Sequence, residues 1–181
     1  MRKIFSKNSG FTIVEMMVAM AIIFIISAMV AANYHLGNRQ IVLDNQAAQF
    51  AQDVRRVQEW ALSSRETAAG DEPAGYGIYV PETGDCYILY ADKDSSKDYT
   101  NEEEVEKVFL NNKIEISNIS LYKNHWNYNI PFVHMNYAAP DLSGRISKGG
   151  DYDWAKITFR VIGGSETRVA AANIAGLVYV E

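Results

Sequence analysis

Residues 11–32 form a run of 22 almost entirely apolar residues that carries a single charge, Glu15. A helix of this length, rising 1.5 Å per residue, spans a bilayer core of roughly 30 Å. The ten residues before the run contain three basic residues and no acid: Arg2, Lys3 and Lys7. Because basic flanks stay in the cytoplasm, we expect a single-pass inner-membrane protein with its C-terminal domain outside.

Two ordinary explanations of this N-terminus are incomplete. A secretory signal has an apolar region of about 7–15 residues followed by a small-residue cleavage site, and this run is longer and lacks such a boundary. A plain signal anchor accounts for the length but not for the position of Glu15. A carboxylate at the centre of a membrane helix costs about 2.5–3.5 kcal/mol on insertion scales, so such acids usually have a function and a partner.

Residues 9–15, with the sequence Ser-Gly-Phe-Thr-Ile-Val-Glu, resemble the class III signal of type IV prepilins and pseudopilins. The resemblance covers about the first 30 residues. It implies that a membrane prepilin peptidase removes residues 1–10 by cutting between Gly10 and Phe11 and methylates the new N-terminal Phe11. It also implies that Glu15 guides assembly of the subunits.

The position of Glu15 has a physical interpretation beside the resemblance. Cutting after Gly10 creates a cationic amine about one helical turn from Glu15. The two charges can pair within one chain. They can also pair between chains, where the amine of an incoming subunit meets the glutamate of its neighbour. In hydrocarbon an unpaired charge is costly, so the second pairing would fix the axial register of assembly.

The helical pattern continues beyond the membrane. Residues 33–65 contain no proline, and apolar residues recur there at spacings of three and four, typical of an amphipathic helix on a core. These are Ala47, Phe50, Ala51, Val54, Val57 and Ala61. We therefore predict one helix from about Phe11 to Ser64. Its transmembrane and assembly half covers residues 11–32, and its amphipathic half covers residues 33–65.

Residues 66–181 have the period of two and the turn residues of β-strands. The strand predictions are 76–80, 86–91, 105–110, 113–119, 131–137, 156–162, 168–173 and 177–180. The sequence thus predicts an α+β, pilin-like fold, in which one long N-terminal helix packs on an antiparallel β domain.

Two late segments, residues 144–146 and 173–180, resemble the closing strands of type II secretion minor pseudopilins and FimT-like minor pilins. That group has two sheets beside its helix. Some FimT-like proteins bind DNA through a basic C-terminal motif. The corresponding part of this chain has scattered basic residues and no dense cluster: Arg145, Lys148, Lys156, Arg160 and Arg168. Since phosphate binding needs an excess of Lys and Arg and the net charge is −5, DNA binding is the less favoured alternative.

An acidic segment, residues 92–103, has oxygen-bearing side chains at the ligand spacing of an EF-hand loop. The six candidate calcium ligands are Asp92, Asp94, Ser96, Asp98, Thr100 and Glu103. The sixth position is Lys97 instead of the glycine that the turn of an EF-hand requires, and strand patterns precede the loop. The spacing therefore favours a calcium-binding loop between strands over a true EF-hand, and a solvated acidic loop is the alternative.

No enzyme motif is recognisable in the sequence. His35, His125 and His134 share no metal-ligand spacing, and no nucleophile motif or phosphate-binding loop occurs. We expect a structural subunit of a type IV pilus or type II secretion pseudopilus. Among the subunits of such a filament, we expect a minor one. Its expected partners are other pilin or pseudopilin subunits, the prepilin peptidase, an inner-membrane assembly platform and membrane lipid. The alternative is a membrane-anchored β-domain that binds a ligand or DNA, including in a DNA-uptake pilus.

Overall fold

The computed structural model describes residues 10–63, 65–67, 70, 72–81, 84–124, 126–139, 144–147 and 151–181. One helix, α1 (Ile13–Leu62), precedes eleven strands among these residues. The strands are β1 (Gly75–Pro81), β2 (Cys86–Asp92), β3 (Glu104–Phe109), β4 (Ile114–Lys123), β5 (Trp126–Asn129), β6 (Phe132–Tyr137), β7 (Arg145–Ser147), β8 (Asp151–Tyr152), β9 (Trp154–Val161), β10 (Thr167–Asn173) and β11 (Val178–Val180). A short 3₁₀ helix, Asn101–Glu103, lies just before β3.

The strands form two antiparallel sheets. The first sheet has the order β3-β2-β1-β6-β7-β8, and the second has the order β11-β10-β9-β4-β5. The α+β, pilin-like fold class is therefore confirmed, including a second sheet of the kind that the resemblance implied.

The chain divides into two compact units, residues 1–39 and Gln40–Glu181. In the first unit, the described side chains of the apolar stretch Ile13–Ala31 are exposed within the chain. In the second unit, the C-terminal part of α1 buries the predicted stripe against the sheets. Its six residues, Ala47, Phe50, Ala51, Val54, Val57 and Ala61, are all at most 4% exposed.

Phe50 on the helix contacts both sheets. Its ring lies 5.1 Å from the ring of Tyr87 on β2 and 5.6 Å from that of Phe159 on β9. The Tyr87 hydroxyl donates a hydrogen bond to Asp53 one turn further along the helix. Full burial of one such aromatic side chain contributes about 1.5–3 kcal/mol, so this contact is a centre of the domain core.

The alternating pattern predicts none of the three short strands β5, β7 and β8, although residues 144–146, which overlap β7, resemble a closing strand. These strands have four, three and two residues, which is too short for a period of two to be recognised. The prediction for β4 also ended too early, because the strand continues from Ile119 to Lys123 beside β5.

A glycine on β1 makes room for an aromatic ring on β2. Gly77 pairs with Tyr90, and a Cβ added at Gly77 would lie 2.4 Å from the Tyr90 ring. The ring therefore lies over the glycine, and its hydroxyl donates to the carbonyl oxygen of Lys97 at 3.1 Å. This contact ties the segment after β2 to the first sheet.

Candidate functional site

The first turn of α1 is closed by a reciprocal pair of hydrogen bonds. Thr12 immediately precedes the helix, and its backbone N–H donates to Oε2 of Glu15 at 3.1 Å. The backbone N–H of Glu15 donates to Oγ1 of Thr12 at 3.2 Å. This is a capping box, which satisfies two backbone donors that the helix start would otherwise leave unpaired.

The capping box gives Glu15 a role at the start of α1 that was not among the roles predicted for it. The Thr-x-x-Glu spacing at residues 12–15 was a sufficient signal for it. The Thr12 hydroxyl also donates to Oε2 of Glu15 at 3.1 Å, so the carboxylate is held by its own chain at the start of the apolar segment. Glu15 is exposed, and its second carboxylate oxygen leaves capacity for a further donor.

The predicted cleavage site lies directly before this cap. Gly10 is exposed, and the Phe11 side chain is 82% exposed. Residues 1–9 of the predicted leader lie outside the described residues. Downstream, Ile13–Ala31 is long and apolar enough to cross a membrane, by length and composition. The residues expected to take part in processing and assembly thus lie together at one exposed end of α1.

A second candidate site lies where β2 passes into the acidic loop. Asp92, Asp94 and Glu103 each place a carboxylate oxygen within 4.8 Å of those of the other two. Asp92 is the last residue of β2, and Glu103 is the last residue of the 3₁₀ helix. Strands lie on both sides of the loop, as the sequence patterns predict and unlike the helices of an EF-hand.

The other three predicted ligands make local hydrogen bonds. The Ser96 hydroxyl donates to the Asp98 carbonyl oxygen at 3.0 Å, and the Asp98 N–H donates back to it at 3.3 Å. The Thr100 N–H donates to Oε2 of Glu103 at 2.9 Å. The carboxylate of Asp98 does not belong to the group formed by Asp92, Asp94 and Glu103.

The loop turns by means of left-handed backbone conformations. Lys97, at the position where an EF-hand has glycine, has a φ of 65°, and Ser95 has a φ of 62°. The Lys97 N–H donates to Oδ2 of Asp92 at 3.0 Å. The sharp turn is therefore made without glycine, at the conformational cost that non-glycine residues have in this region.

The carboxyl groups of the loop differ in their electrostatics. Burial raises the pKa of Asp92, the hydrogen bond from Lys97 opposes this shift, and the charges of Glu103 and Asp94 raise it further. Hydrogen bonds with Ser96 lower the pKa of the exposed Asp94. The arrangement thus combines one buried carboxyl group whose pKa is raised with one exposed carboxyl group whose pKa is lowered.

His134 attaches the loop to the first sheet. Its Nδ1 accepts a hydrogen bond from the Tyr99 N–H at 2.9 Å, and the Tyr99 ring stacks on Tyr79 at 5.0 Å. Burial lowers the pKa of His134, and the charge of Asp98 partly offsets that effect. The buried His134 thus serves as a hydrogen-bond acceptor for the loop. His125 lies outside the described residues.

Comparison with known families finds a match at the N-terminus of the chain. Residues 5–31 match the family model described as the prokaryotic N-terminal methylation motif. No curated protein and no solved structure matches the chain. The motif spans Gly10, Phe11 and Glu15, and together with the apolar N-terminal helix it fits a type IV pilin-like or pseudopilin precursor that a peptidase processes.

Proposed function

We propose that this chain is a structural subunit, and a minor one, of a type IV pilus or a type II secretion pseudopilus. The observation that carries the proposal is the methylation motif at residues 5–31, which leads into an exposed apolar helix. The two-sheet domain supports the minor-subunit part, because it agrees with the arrangement in the minor pseudopilins that the late segments resemble. The proposed role is structural and not enzymatic.

The proposed maturation begins in the inner membrane. The chain inserts with residues 1–10 in the cytoplasm and the domain outside, and the prepilin peptidase cuts between Gly10 and Phe11. The exposure of both residues supports access by a protease. Methylation of Phe11 then completes the mature N-terminus.

Glu15 is proposed to guide the assembly step. Before assembly the Glu15 carboxylate accepts hydrogen bonds from the backbone N–H and the hydroxyl of Thr12. These bonds limit the free-energy cost of placing the charge in hydrocarbon. After cleavage the Phe11 amine of a neighbouring subunit supplies a full positive charge for the same carboxylate. The apolar side chains of Ile13–Ala31 then pack against other subunits instead of lipid.

DNA binding is less well supported than the structural role. Three of the basic residues considered for it pair with acids: Lys156 with Glu181, Arg160 with Glu115, and Arg168 with Asp44. Such paired charges offer little free positive potential to a phosphate backbone. Lys148 lies outside the described residues.

One experiment tests processing and assembly together. The chain is expressed beside a prepilin peptidase and an assembly platform, and its N-terminal mass and its presence in sheared filaments are measured. Gly10→Val should leave the leader attached, because a branched side chain obstructs the cleavage site. Glu15→Ala should be cleaved and methylated normally but be absent from filaments.

Glu59→Ala is the matched control, since it removes an exposed acid further along the same helix. It should be cleaved and incorporated like the unmodified chain. Incorporation of Glu15→Ala at the normal level would refute the assembly role. A correctly cleaved wild-type chain that never enters filaments would favour the alternative, a membrane-anchored binding domain.

A further inference from the structure

We propose that the carboxylates of Asp92, Asp94 and Glu103 bind one calcium ion where β2 passes into the acidic loop. The proposal goes beyond the role as a filament subunit and does not depend on it, because the site lies wholly within the second unit. Separations within 4.8 Å are compatible with oxygens that each lie about 2.3–2.6 Å from a shared ion.

An unpartnered buried oxygen is the observation that points to a ligand. Asp92 is only 1% exposed, and its Oδ1 has no hydrogen-bond partner among the described residues. Its other oxygen, Oδ2, accepts from the Lys97 N–H at 3.0 Å and from Nδ2 of Asn136 at 3.2 Å. A buried carboxylate oxygen without a partner carries an uncompensated desolvation cost, and a bound cation would remove it.

Glu103 is oriented for the same ion. It is 3% exposed, its Oε1 accepts from the Lys93 N–H at 2.8 Å, and its Oε2 accepts from the Thr100 N–H at 2.9 Å. Each carboxylate oxygen has a second lone pair, so these bonds fix the group without using its whole acceptor capacity. Hydrogen bonds of this kind orient metal ligands in many proteins.

The third ligand opens the site to solvent. Asp94 is exposed, and its Oδ1 accepts from the Ser96 N–H at 2.9 Å, which holds the carboxylate beside the two buried acids. Three carboxylates this close repel one another unless a positive charge lies between them. An exposed ligand above two buried ones gives an ion an entry path and leaves room for water ligands.

The ligand chemistry selects calcium among common cations. All three groups are hard carboxylate oxygens, with no thiolate or imidazole in the cluster. Calcium accepts six to eight oxygens in flexible geometry and completes its shell with carbonyls and water. Magnesium requires near-ideal octahedral geometry and gives up its water reluctantly, which suits a loop of this kind less well.

The test is a calorimetric titration of the full-length chain in detergent with calcium chloride, after removal of bound metal with a chelator. We expect one calcium per chain. Asp94→Asn should weaken the affinity about tenfold or more, because it removes one ligand charge. This variant should fold, since Asp94 is exposed and the asparagine Oδ1 can still accept from Ser96.

Glu102→Gln is the control: it makes the same change in charge within the same segment, at an exposed carboxylate that is outside the cluster and was not among the predicted ligands. Its affinity should stay within about twofold of the wild-type value, as expected for a change in long-range charge alone. Absence of saturable binding at millimolar calcium would overturn the proposal. An equal loss in both variants, or equal affinity for magnesium, would also overturn it.

Discussion

At the scale of single residues, we expect His134 to make the attachment of the acidic loop sensitive to pH. Its Nδ1 accepts from the Tyr99 N–H only while the imidazole is neutral, and burial lowers its pKa below the ordinary value of about 6.5. Between the two pKa values the unfolded chain binds more protons than the folded one, so stability falls as the pH drops. We predict that the free energy of unfolding decreases from about pH 7.5 to about 5.5.

His134→Asn provides the comparison for this prediction, because the asparagine Oδ1 can replace Nδ1 as an acceptor but does not titrate. Its unfolding free energy should change less over the same pH range in chemical denaturation of the full chain. Parallel pH profiles for the two proteins would show that protonation of His134 does not contribute.

At the scale of elements, the start of α1 depends on the Thr12–Glu15 cap. Loss of such a cap destabilises a helix end by about 0.5–2 kcal/mol. In the uncleaved chain in detergent, Thr12→Val should therefore speed hydrogen exchange of the Glu15 amide, which donates to the Thr12 hydroxyl. Thr12→Ser keeps the hydroxyl and should preserve the protection. Equal exchange in Thr12→Val and the wild-type chain would contradict the cap.

Some of the elements could be predicted from the sequence, and others could not. The helical stripe around Phe50 was predictable because burial repeats with the helical period over many residues. Periodicity did not predict β7 and β8, because two or three residues carry no period. Their strand conformation depends on pairing, of β7 with β6 and of β8 with β7. Only the resemblance of residues 144–146 to a closing strand pointed to β7. At the acidic loop, linear spacing gave six candidate ligands. The fold brings three carboxylates together, while the Ser96 hydroxyl donates to the carbonyl oxygen of Asp98 instead.

At the scale of the whole molecule, the helix and the two sheets of the second unit share one hydrophobic core. Phe50 is 1% exposed and contacts one ring from each sheet. We predict that Phe50→Ala lowers the free energy of unfolding by about 3–5 kcal/mol, measured by denaturation of the full chain in detergent. Phe109→Ala makes the same chemical change at a side chain that is 63% exposed, and should cost far less. Similar losses for both variants would mean that Phe50 is not central to the core.

The close contact between Gly77 and Tyr90 has a consequence for how this protein can diverge. Any side chain at position 77 would displace the Tyr90 ring and, with it, the hydroxyl that holds the Lys97 carbonyl. Descendants of this chain could therefore lose the conformation of the acidic loop through a substitution on β1 while every acid of the loop remains in place. If relatives were compared only for the acidic residues of the loop, too many would be counted as retaining its conformation. Requiring a glycine at the position of Gly77 as well would correct that count.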